Sequence, residues 1–420
     1  MARDTRQPTI VTGLDIGSTM VRVAVGQIMF DEGLGRETIQ IVASVEVPSE
    51  GLYKGNVTSI EDVVSSVANA LEQAERMVGY PIENVWVGIS GADIISQSNK
   101  GVVAVAKSDG EISSEDVERA VDAARAINAP LNYDVLHVLP KSFSVDGQTG
   151  IKDPIGMTGM RLEVDTQMIH GLSAHLKNIT KAVYRTGVDI DDVVLSILAV
   201  GEAVVVPRQK ELGVAVLNIG GANTSLIVYE EGDILHTGIL PIGSSHITND
   251  LAIGLRTSID IAELIKKEFE TSIVEKYSKK DVINLADFGS EDNEHIPRQY
   301  IAEIIEARAS EIFSKVDEEL LKIERNGLLP AGVIITGGGA KIPGMVSLAK
   351  DHLKLPVTIG TPVNVGGITD KINDLAFSTA IGLVKWGALL YTSGKKQKRM
   401  NIKAGKMVDG VKKVFRSLIP

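Results

Sequence analysis

The feature that most constrains this 420-residue chain is a pair of matching stretches far apart in it. Thr12 to Val25, T-G-L-D-I-G-S-T-M-V-R-V-A-V, is an apolar strand, a tight turn at Gly17-Ser18-Thr19 and a second strand. Such a turn can aim backbone N–H groups and two hydroxyls at one point, which suits phosphate oxygens. Asp15, just before it, is placed to hold a hydrated Mg²⁺. Gly-Ser turns join hairpins in proteins of every kind, so one copy decides nothing. Gly213 to Val228, G-V-A-V-L-N-I-G-G-A-N-T-S-L-I-V, repeats the pattern, with L-N-I-G answering L-D-I-G. Asp15 and Asn218 stand 203 residues apart, beyond any short solenoid period. A duplicated fold with one phosphate-type hairpin per half accounts for both copies.

A third glycine turn, I-I-T-G-G-G-A at Ile334 to Ala340, follows the apolar strand Val333–Thr336, where backbone must approach something flat or bulky. The three turns, in this order, resemble the phosphate, phosphate and adenosine motifs of the actin and sugar-kinase superfamily. The combination is strong, whereas each member alone is weak.

At this length the chain should hold two or more domains. Hydrophobic content of 44% and charge of 23% are those of a globular protein with ample core. It has no cysteine, which excludes disulfides and cysteine–zinc sites and is compatible with a reducing cytoplasm. The start, M-A-R-D-T-R-Q-P-T, has no apolar region, so no signal peptide is expected. No run of 18 apolar residues exists to span a membrane. The net charge of −11 hides an asymmetry: from Lys395 onward nine Lys and Arg face one Asp, +8, which leaves −19 for the rest. An acidic body argues against nucleic acid as the main partner.

In chain order, Asp31–Arg36 is expected as an exposed turn and 38–47 as a third strand. Ser59 to Val78 is expected as a capped helix whose apolar face is Val63, Val67, Ala70, Leu71, Ala74 and Met77. Val85–Ile89 is a buried strand ending in S-G-A-D-I. Within 96–171 the pattern gives a strand at Gly101–Ala106, a helix from Ser113 or Ser114 through Ile127, and strands at Val135–Val145 and Met160–Ile169, small enough to be an inserted subdomain. Asp153 and His170 in it suit a turn and a strand end better than a metal site. Helix Ala174–Thr186 and strand Val193–Ile197 return to the first domain, and Leu198–Pro207 crosses to the second. After the second hairpin come a strand at Gly232–Leu240, a turn at Pro241-Ile242-Gly243, and helices Ser245–Leu255 and Ser258–Phe269. Glu263 and Lys266 share one face of the latter, as a solvated ion pair or as flanks of a nucleotide's sugar and base. A long amphipathic helix fits Pro297 to Asn326, and further helices fit Pro343–His352 and Ile372–Tyr391. Residues 271–296 are polar and carry no clear pattern.

The last segment, 406–420, is K-M-V-D-G-V-K-K-V-F-R-S-L-I-P. On a helix, Met407, Val408, Val411, Val414, Phe415, Leu418 and Ile419 fall within an arc of about 140°. Lys406, Asp409, Lys413, Arg416 and Ser417 take the other side, with Lys412 at the boundary. The stripe is too short to span a bilayer and suits lying on anionic lipid, with docking on a protein surface as the alternative. Gly405 and Gly410 disfavour helix in water.

Beyond the superfamily turns, the chain carries I-S-G-A-D-I-I-S-Q-S-N-K-G-V-V-A-V-A (89–106), H-V-L-P-K-S-F-S-V-D-G (137–147), I-K-D-P-I-G-M-T-G-M-R-L-E-V (151–164) and I-P-R-Q-Y-I-A-E-I-I-E-A-R (296–308). With these it resembles the bacterial FtsA family, actin-like membrane anchors of tubulin-like FtsZ, over nearly all of 10–393. The resemblance implies an α/β, actin-like (ribonuclease H-like, duplicated) fold. Its first domain would be 9–95 plus 172–208 (1A), with the insert 96–171 (1C). Its second would be 209–245 plus 330–393 (2A), with 246–329 as a small subdomain (2B). A basic linker, 394–405, and an amphipathic membrane helix, 406–420, would follow. It implies ATP and Mg²⁺ on Asp15, Gly17, Ser18, Thr19, Asn218, Gly220, Gly221, Asn223, Thr224, Gly243, Glu263, Lys266, Gly337, Gly338 and Gly339, with Asp15 on the metal. It implies the FtsZ C-terminal peptide on subdomain 2B, where Arg298 could pair with acidic residues. Self-assembly into filaments, other division proteins on 1C, anionic lipids, and a place on the cytoplasmic membrane face at the division site complete what it implies.

Two departures from the family pattern matter. Asn218 stands where the family usually has Asp, and Met20 where it commonly has Lys, so ATP hydrolysis is expected to be weak or absent. A sugar-kinase-like phosphotransferase would need a carboxylate base, for which Asp189, Asp191 and Asp192 qualify only by type. A PilM-type pilus-assembly scaffold shares the fold and the insert but lacks the terminal helix. A chaperone of the DnaK type is not expected, since residues 394–420 carry no β-rich peptide-binding pattern.

Overall fold

The computed structural model describes residues 9–31, 36–126, 130–268, 278, 280–291, 293–367 and 370–392. Runs rich in Val and Ile form β1 (Thr9–Ile16), β2 (Met20–Asp31) and β3 (Arg36–Pro48). A two-rung ladder, β4 (Leu52–Tyr53) and β5 (Asn56–Val57), leads to α1 (Ile60–Val78). Ser59 caps α1 by accepting the Asp62 N–H, and Gly79 ends it in the left-handed region. Then follow β6 (Asn84–Ile89), β7 (Ile95–Ala104), α2 (Ser114–Arg125), β8 (Tyr133–Val145), β9 (Gln148–Ile151) and β10 (Arg161–Leu172). The first half closes with α3 (Ser173–Tyr184), β11 (Asp189–Leu195) and α4 (Ser196–Val204).

The second half runs through α5 (Pro207–Leu212), β12 (Val214–Ile219), β13 (Thr224–Glu230), β14 (Asp233–Leu240), α6 (Ser244–Gly254) and α7 (Ile259–Glu268). A short pair, β15 (Val282–Asn284) and β16 (His295–Pro297), precedes α8 (Arg298–Lys322). Then come β17 (Val333–Thr336), α9 (Met345–Leu353) and β18 (Val357–Ile359). β19 (Val365–Gly367) and α10 (Ser378–Thr392) return to the first half.

Sheet topology records the duplication. The first sheet is ordered β11-β6-β1-β2-β3-β19, and the second, read the same way round, β18-β17-β12-β13-β14. In each, the hairpin and its third strand are antiparallel, and the two strands beyond the hairpin are parallel. The core of the first sheet runs on through α4 and α10 to one face of the second sheet (Val214, Val216, Ile227, Tyr229, Ile334), whose other face has a core of its own; α4 packs on both sheets and α10 on the first. α4 is apolar all round apart from Ser196 at its start and Glu202, as burial between two layers demands. The insert is a separate four-stranded sheet, β7-β10-β8-β9, with α2 on it and a small core of its own around Leu162 and Val164.

Several sequence readings need correction. Met77 is 53% exposed because the last turn of α1 is exposed; Ser66 is buried instead, its hydroxyl accepting the Glu50 N–H. β7 starts six residues earlier than expected, and β11 four. Leu198–Pro207 is not a plain crossing: most of it is α4. Of the helix expected at Ile372–Tyr391, the part before Ser378 falls in two 3₁₀ turns, Asp370–Asn373 and Leu375–Phe377, so α10 begins only at Ser378. Ile304 on α8 is only half-buried. Asp153 and His170 agree with the expected turn and strand end: Asp153 accepts the Ile155 N–H, and His170 is buried near the end of β10. Residues 32–35 of the expected Asp31–Arg36 turn, the ends of two expected helices (Ile127 and Phe269), the basic linker and 406–420 lie outside the described residues.

Candidate functional site

The two hairpin turns close alike. The Gly17 N–H donates to Met20 O at 3.1 Å, and the Gly220 N–H to Asn223 O at 2.9 Å. They face each other across the gap between the halves: a Cβ placed on Gly221 would lie 2.8 Å from the Thr19 methyl. Ser90, just past β6, bridges the same gap, its hydroxyl donating to Asn223 Oδ1 at 3.2 Å and lying 3.3 Å from Ser225 Oγ. Behind the second turn, the first amides of α6 are taken up: Ser244 N–H donates to Gly220 O and Ser245 N–H to Gly221 O. Gly243 is held against the same two carbonyls, and the Thr224 hydroxyl donates to Ile242 O at 2.8 Å.

The third glycine turn meets this wall. Gly337 takes φ +88°, and its α-carbon faces Asn218 Oδ1 so closely that a Cβ would lie 2.3 Å from it. Gly339 packs on Ile219 and Ser244. A Cβ on Gly338, by contrast, meets nothing within 4 Å. The protein itself thus demands glycine at 337 and leaves 338 open to whatever sits in the cleft.

The cleft floor is polar. Asp15 pairs in register with Gly88 of β6, and Asn218 holds the matching place opposite Thr336 of β17. Over Gly88 lie the buried Ser196 hydroxyl at the start of α4, which has no hydrogen-bond partner, and the Thr379 methyl at the start of α10. Thr379 Oγ1 accepts from the Asn218 amide at 3.4 Å, and Thr336 and Ser378 hydroxyls lie 2.7 Å apart. Two helix N-termini therefore face this floor and favour negative charge there. Asp15 is partly buried, and desolvation pushes its carboxyl up to about 6, opposed by Arg22, whose guanidinium is also turned to Glu46 at 3.1 Å. No group of three or more His, Asp or Glu that could hold a metal exists among the described residues. One carboxylate beside open cleft suits an ion that takes its other oxygens from phosphates and water.

Glu263 and Lys266 are no solvated pair. Lys266 is buried, 2.6 Å from Glu263 Oε2, and donates to Thr248 Oγ1 at 2.8 Å and to Ser244 O at 3.4 Å. The Thr248 hydroxyl donates to Glu263 at 2.6 Å. The pair thus fastens α7 to the first turn of α6, directly behind the second glycine turn. Burial holds Lys266 below its usual pKa against Glu263; for Glu263, burial is outweighed by Lys266, Thr248 and Lys267, and its pKa falls.

Arg298 is not in this cleft: it opens α8, its N–H donating to Asp281 O at 2.7 Å. Beside it, α6 and α8 leave an open groove of about 330 Å³, lined by Ile253, Tyr300, Ile304, Asp250, Arg308 and Glu311 among others but not by Arg298. Asp189 and Asp191 lie in the half of their strand away from the glycine turns and Asp192 at its middle, so none is placed at the turn end where a kinase base is needed. Asp189 pairs with Asn84, whereas Leu195, ~20 Å along at ~3.3 Å per residue, pairs with Ile89 at the turn end. The proposed membrane residues, Met407 to Ile419, lie outside the described residues. Ser90, Ser196 and Thr379 were missed by sequence reasoning. Only the S-G-A-D-I end of a buried strand hinted at the first, and nothing hinted at the others.

A sequence model described as "Cell division protein FtsA" matches residues 215–382, and one described as "SHS2 domain inserted in FTSA" matches 91–170. The FtsA of Pseudomonas aeruginosa is 36% identical over 385 residues, covering 92% of this chain and 91% of that protein. The chain belongs to the FtsA family. The Bacillus subtilis FtsA is 37% identical, covering 90% of this chain and 83% of its own, and the Escherichia coli FtsA 33%, covering 95% and 96%. Among solved structures, the PilM–PilN type IV pilus biogenesis complex aligns with TM-score 0.64 at 16% identity, covering 89% of this chain and 97% of that chain. MreB5 of Spiroplasma citri bound to ADP aligns with TM-score 0.52 at 12% identity, covering 94% and 100%. These place this FtsA relative in the actin-like fold. It is a cell-division protein of that fold, and among its described residues no helix is long and apolar enough to cross a membrane.

Proposed function

We propose that this FtsA-family chain binds ATP with Mg²⁺ between its halves, hydrolyses it weakly or not at all, and anchors FtsZ filaments to the cytoplasmic membrane face at the division site. The observation that carries the nucleotide reading is the contact of the two glycine turns, Thr19 against Gly221, with the third turn backing them and Gly338 left open. The phosphates would lie on Gly17, Ser18, Thr19 and on Gly220 to Thr224, the adenosine against Gly337–Gly339, and Glu263 and Lys266 would support the wall from behind. Mg²⁺, when bound, neutralises phosphate charge, and Asp15 would hold it. The MreB5 structure bound to ADP supports the reading by fold. The three proposed regions beyond the halves are 96–171, the small subdomain 246–329 and the tail 406–420. They would meet other division proteins, the FtsZ peptide and anionic lipid respectively, and copies of the chain would assemble into filaments.

Asp15 gives a pH-dependent expectation. Its folded pKa, about 6, exceeds the ordinary value of 3.8, so the folded state favours the protonated form. Stability associated with that proton is fully present below pH 3.8 and is lost as pH rises through 6. Asp15→Asn should therefore raise the melting temperature of the nucleotide-free protein at pH 7.5, by a gain of up to about 3 kcal/mol, and leave it unchanged near pH 3.5. The same variant should show a smaller Mg²⁺-ATP-induced shift in melting temperature. A fall in melting temperature at pH 7.5 would contradict the desolvated carboxylate.

Asn218 bears on hydrolysis. Phosphoryl transfer needs metal and positive charge where oxygens develop charge, and the floor offers one carboxylate. Asn218→Asp should raise Mg²⁺-dependent phosphate release about tenfold or more. A brisk wild-type ATPase that this change leaves untouched would count against the assignment.

For the FtsZ peptide, Arg298→Glu should weaken binding about tenfold in fluorescence anisotropy, as expected for a lost charge-assisted contact. Ile253, 77% exposed on the α6–α8 groove, offers a second variant. If Ile253→Asp abolishes binding and Arg298→Glu does not, the groove, and not Arg298, receives the peptide.

A further inference from the structure

The described chain passes between its halves twice: from α4 into α5, and from β18 into β19. The two crossings touch. Val363, in the second, donates its N–H to Ala203 O in the last turn of α4 at 2.8 Å. Gly360, just ahead of it, lies against Val204. Onto this junction α10 projects the half-buried Lys385. Its ammonium donates to Val363 O at 3.0 Å and reaches Ala203 O at 3.5 Å. We propose that Lys385 pins the interdomain hinge, holding both crossings together and so limiting how far the cleft between the halves opens.

The chemistry suits the task. Ala203 O belongs to the C-terminal turn of α4, where the helix dipole favours a cation. An ammonium carries three donors, enough to serve two carbonyls at once. The nearest carboxylate, Glu202, is engaged elsewhere: it takes Lys210 of α5 at 2.5 Å, and Lys210 also lies 4.8 Å over the Tyr229 ring of β13. Lys385 is thus bound to backbone on both crossings and, among the described residues, pairs with no carboxylate. The charged groups facing it are Glu202 and Lys210, with Tyr229 behind Lys210. Burial lowers its pKa, Glu202 raises it and Lys210 lowers it again, leaving it at about 8. The charge is present below that pH and lost above it, so the pin should loosen in mild alkali.

The chain has no cysteine, so introduced ones can be spin-labelled selectively. Tyr53 in the first half and Ile259 in the second are 65% and 61% exposed and suit Tyr53→Cys and Ile259→Cys in the full chain. Pulsed dipolar spectroscopy without nucleotide should give a narrow distance distribution at pH 6.5. Lys385→Met should broaden it about twofold at that pH, while Lys385→Arg, which keeps charge and donors, should leave it narrow. The distribution of the protein with Lys385 intact should broaden between pH 7 and 9.5, and that of Lys385→Met should not change with pH. Should Lys385→Met fail to fold, the pH series alone decides. Equal widths for Lys385 and Met at pH 6.5, or no broadening with pH, would overturn the proposal.

Discussion

A Gly338→Val protein is expected to fold and melt like wild type, yet to bind ATP at least about a hundredfold more weakly in calorimetry, a loss of ~3 kcal/mol. The expectation rests on a contrast within one turn. A side chain at Gly337 would strike Asn218 Oδ1 and would sit at φ +88°, so Gly337→Val should fail for reasons of folding alone. Gly338 is exposed and a Cβ there meets no protein atom within 4 Å, so a ligand lying against the turn is what a valine side chain would meet first. Normal melting with unchanged affinity would move the adenosine away from this turn. Gly337→Val serves as the control that separates a damaged protein from a blocked site.

The second large effect concerns the tail. Deleting 406–420, or changing Phe415→Glu, should release the protein from anionic vesicles in co-sedimentation. Each Lys or Arg near anionic headgroups is worth about 1 kcal/mol. Burying a Phe or Leu side chain fully is worth roughly 1.5–3 kcal/mol. Seven apolar groups, even partly inserted, should exceed the cost of ordering a helix that Gly405 and Gly410 otherwise disfavour. Filament formation would multiply weak anchors by avidity. Neutralising Lys412 and Lys413 should weaken binding mainly at low salt, where screening is least. A deletion protein that still pellets with vesicles would show that the tail is not the anchor.

What could be read from the sequence follows from which signals are local. The paired L-D-I-G and L-N-I-G turns are short, contiguous and placed at matching registers, so they announced the duplicated sheets that the topology displays. The capped helix α1 was equally plain, because cap and stripe sit in one window, and α8 was legible from its apolar stripe behind Pro297. Three-residue strands such as β18 and β19 are too short to show a period, and β19 forms only because the chain returns to the edge of β3. The cleft floor was illegible for a related reason. Gly88, Ser196 and Thr379 come from three distant elements and carry no motif, and only the folding of both halves brings them beside Asp15 and Asn218. Glu263 and Lys266 misled by their spacing: i, i+3 charges usually face water, but Thr248 and Ser244 O give Lys266 partners inside.

The nucleotide seat is tested most directly by photolabelling with 8-azido-ATP and Mg²⁺, followed by mapping of the modified peptide. The azide rides on the adenine. The label is predicted in the segment containing Gly337 to Lys341, competed away by unmodified ATP and lost in Gly338→Val. Labelling that falls elsewhere, or that ATP does not compete, would contradict a nucleotide held between the two halves against the third glycine turn.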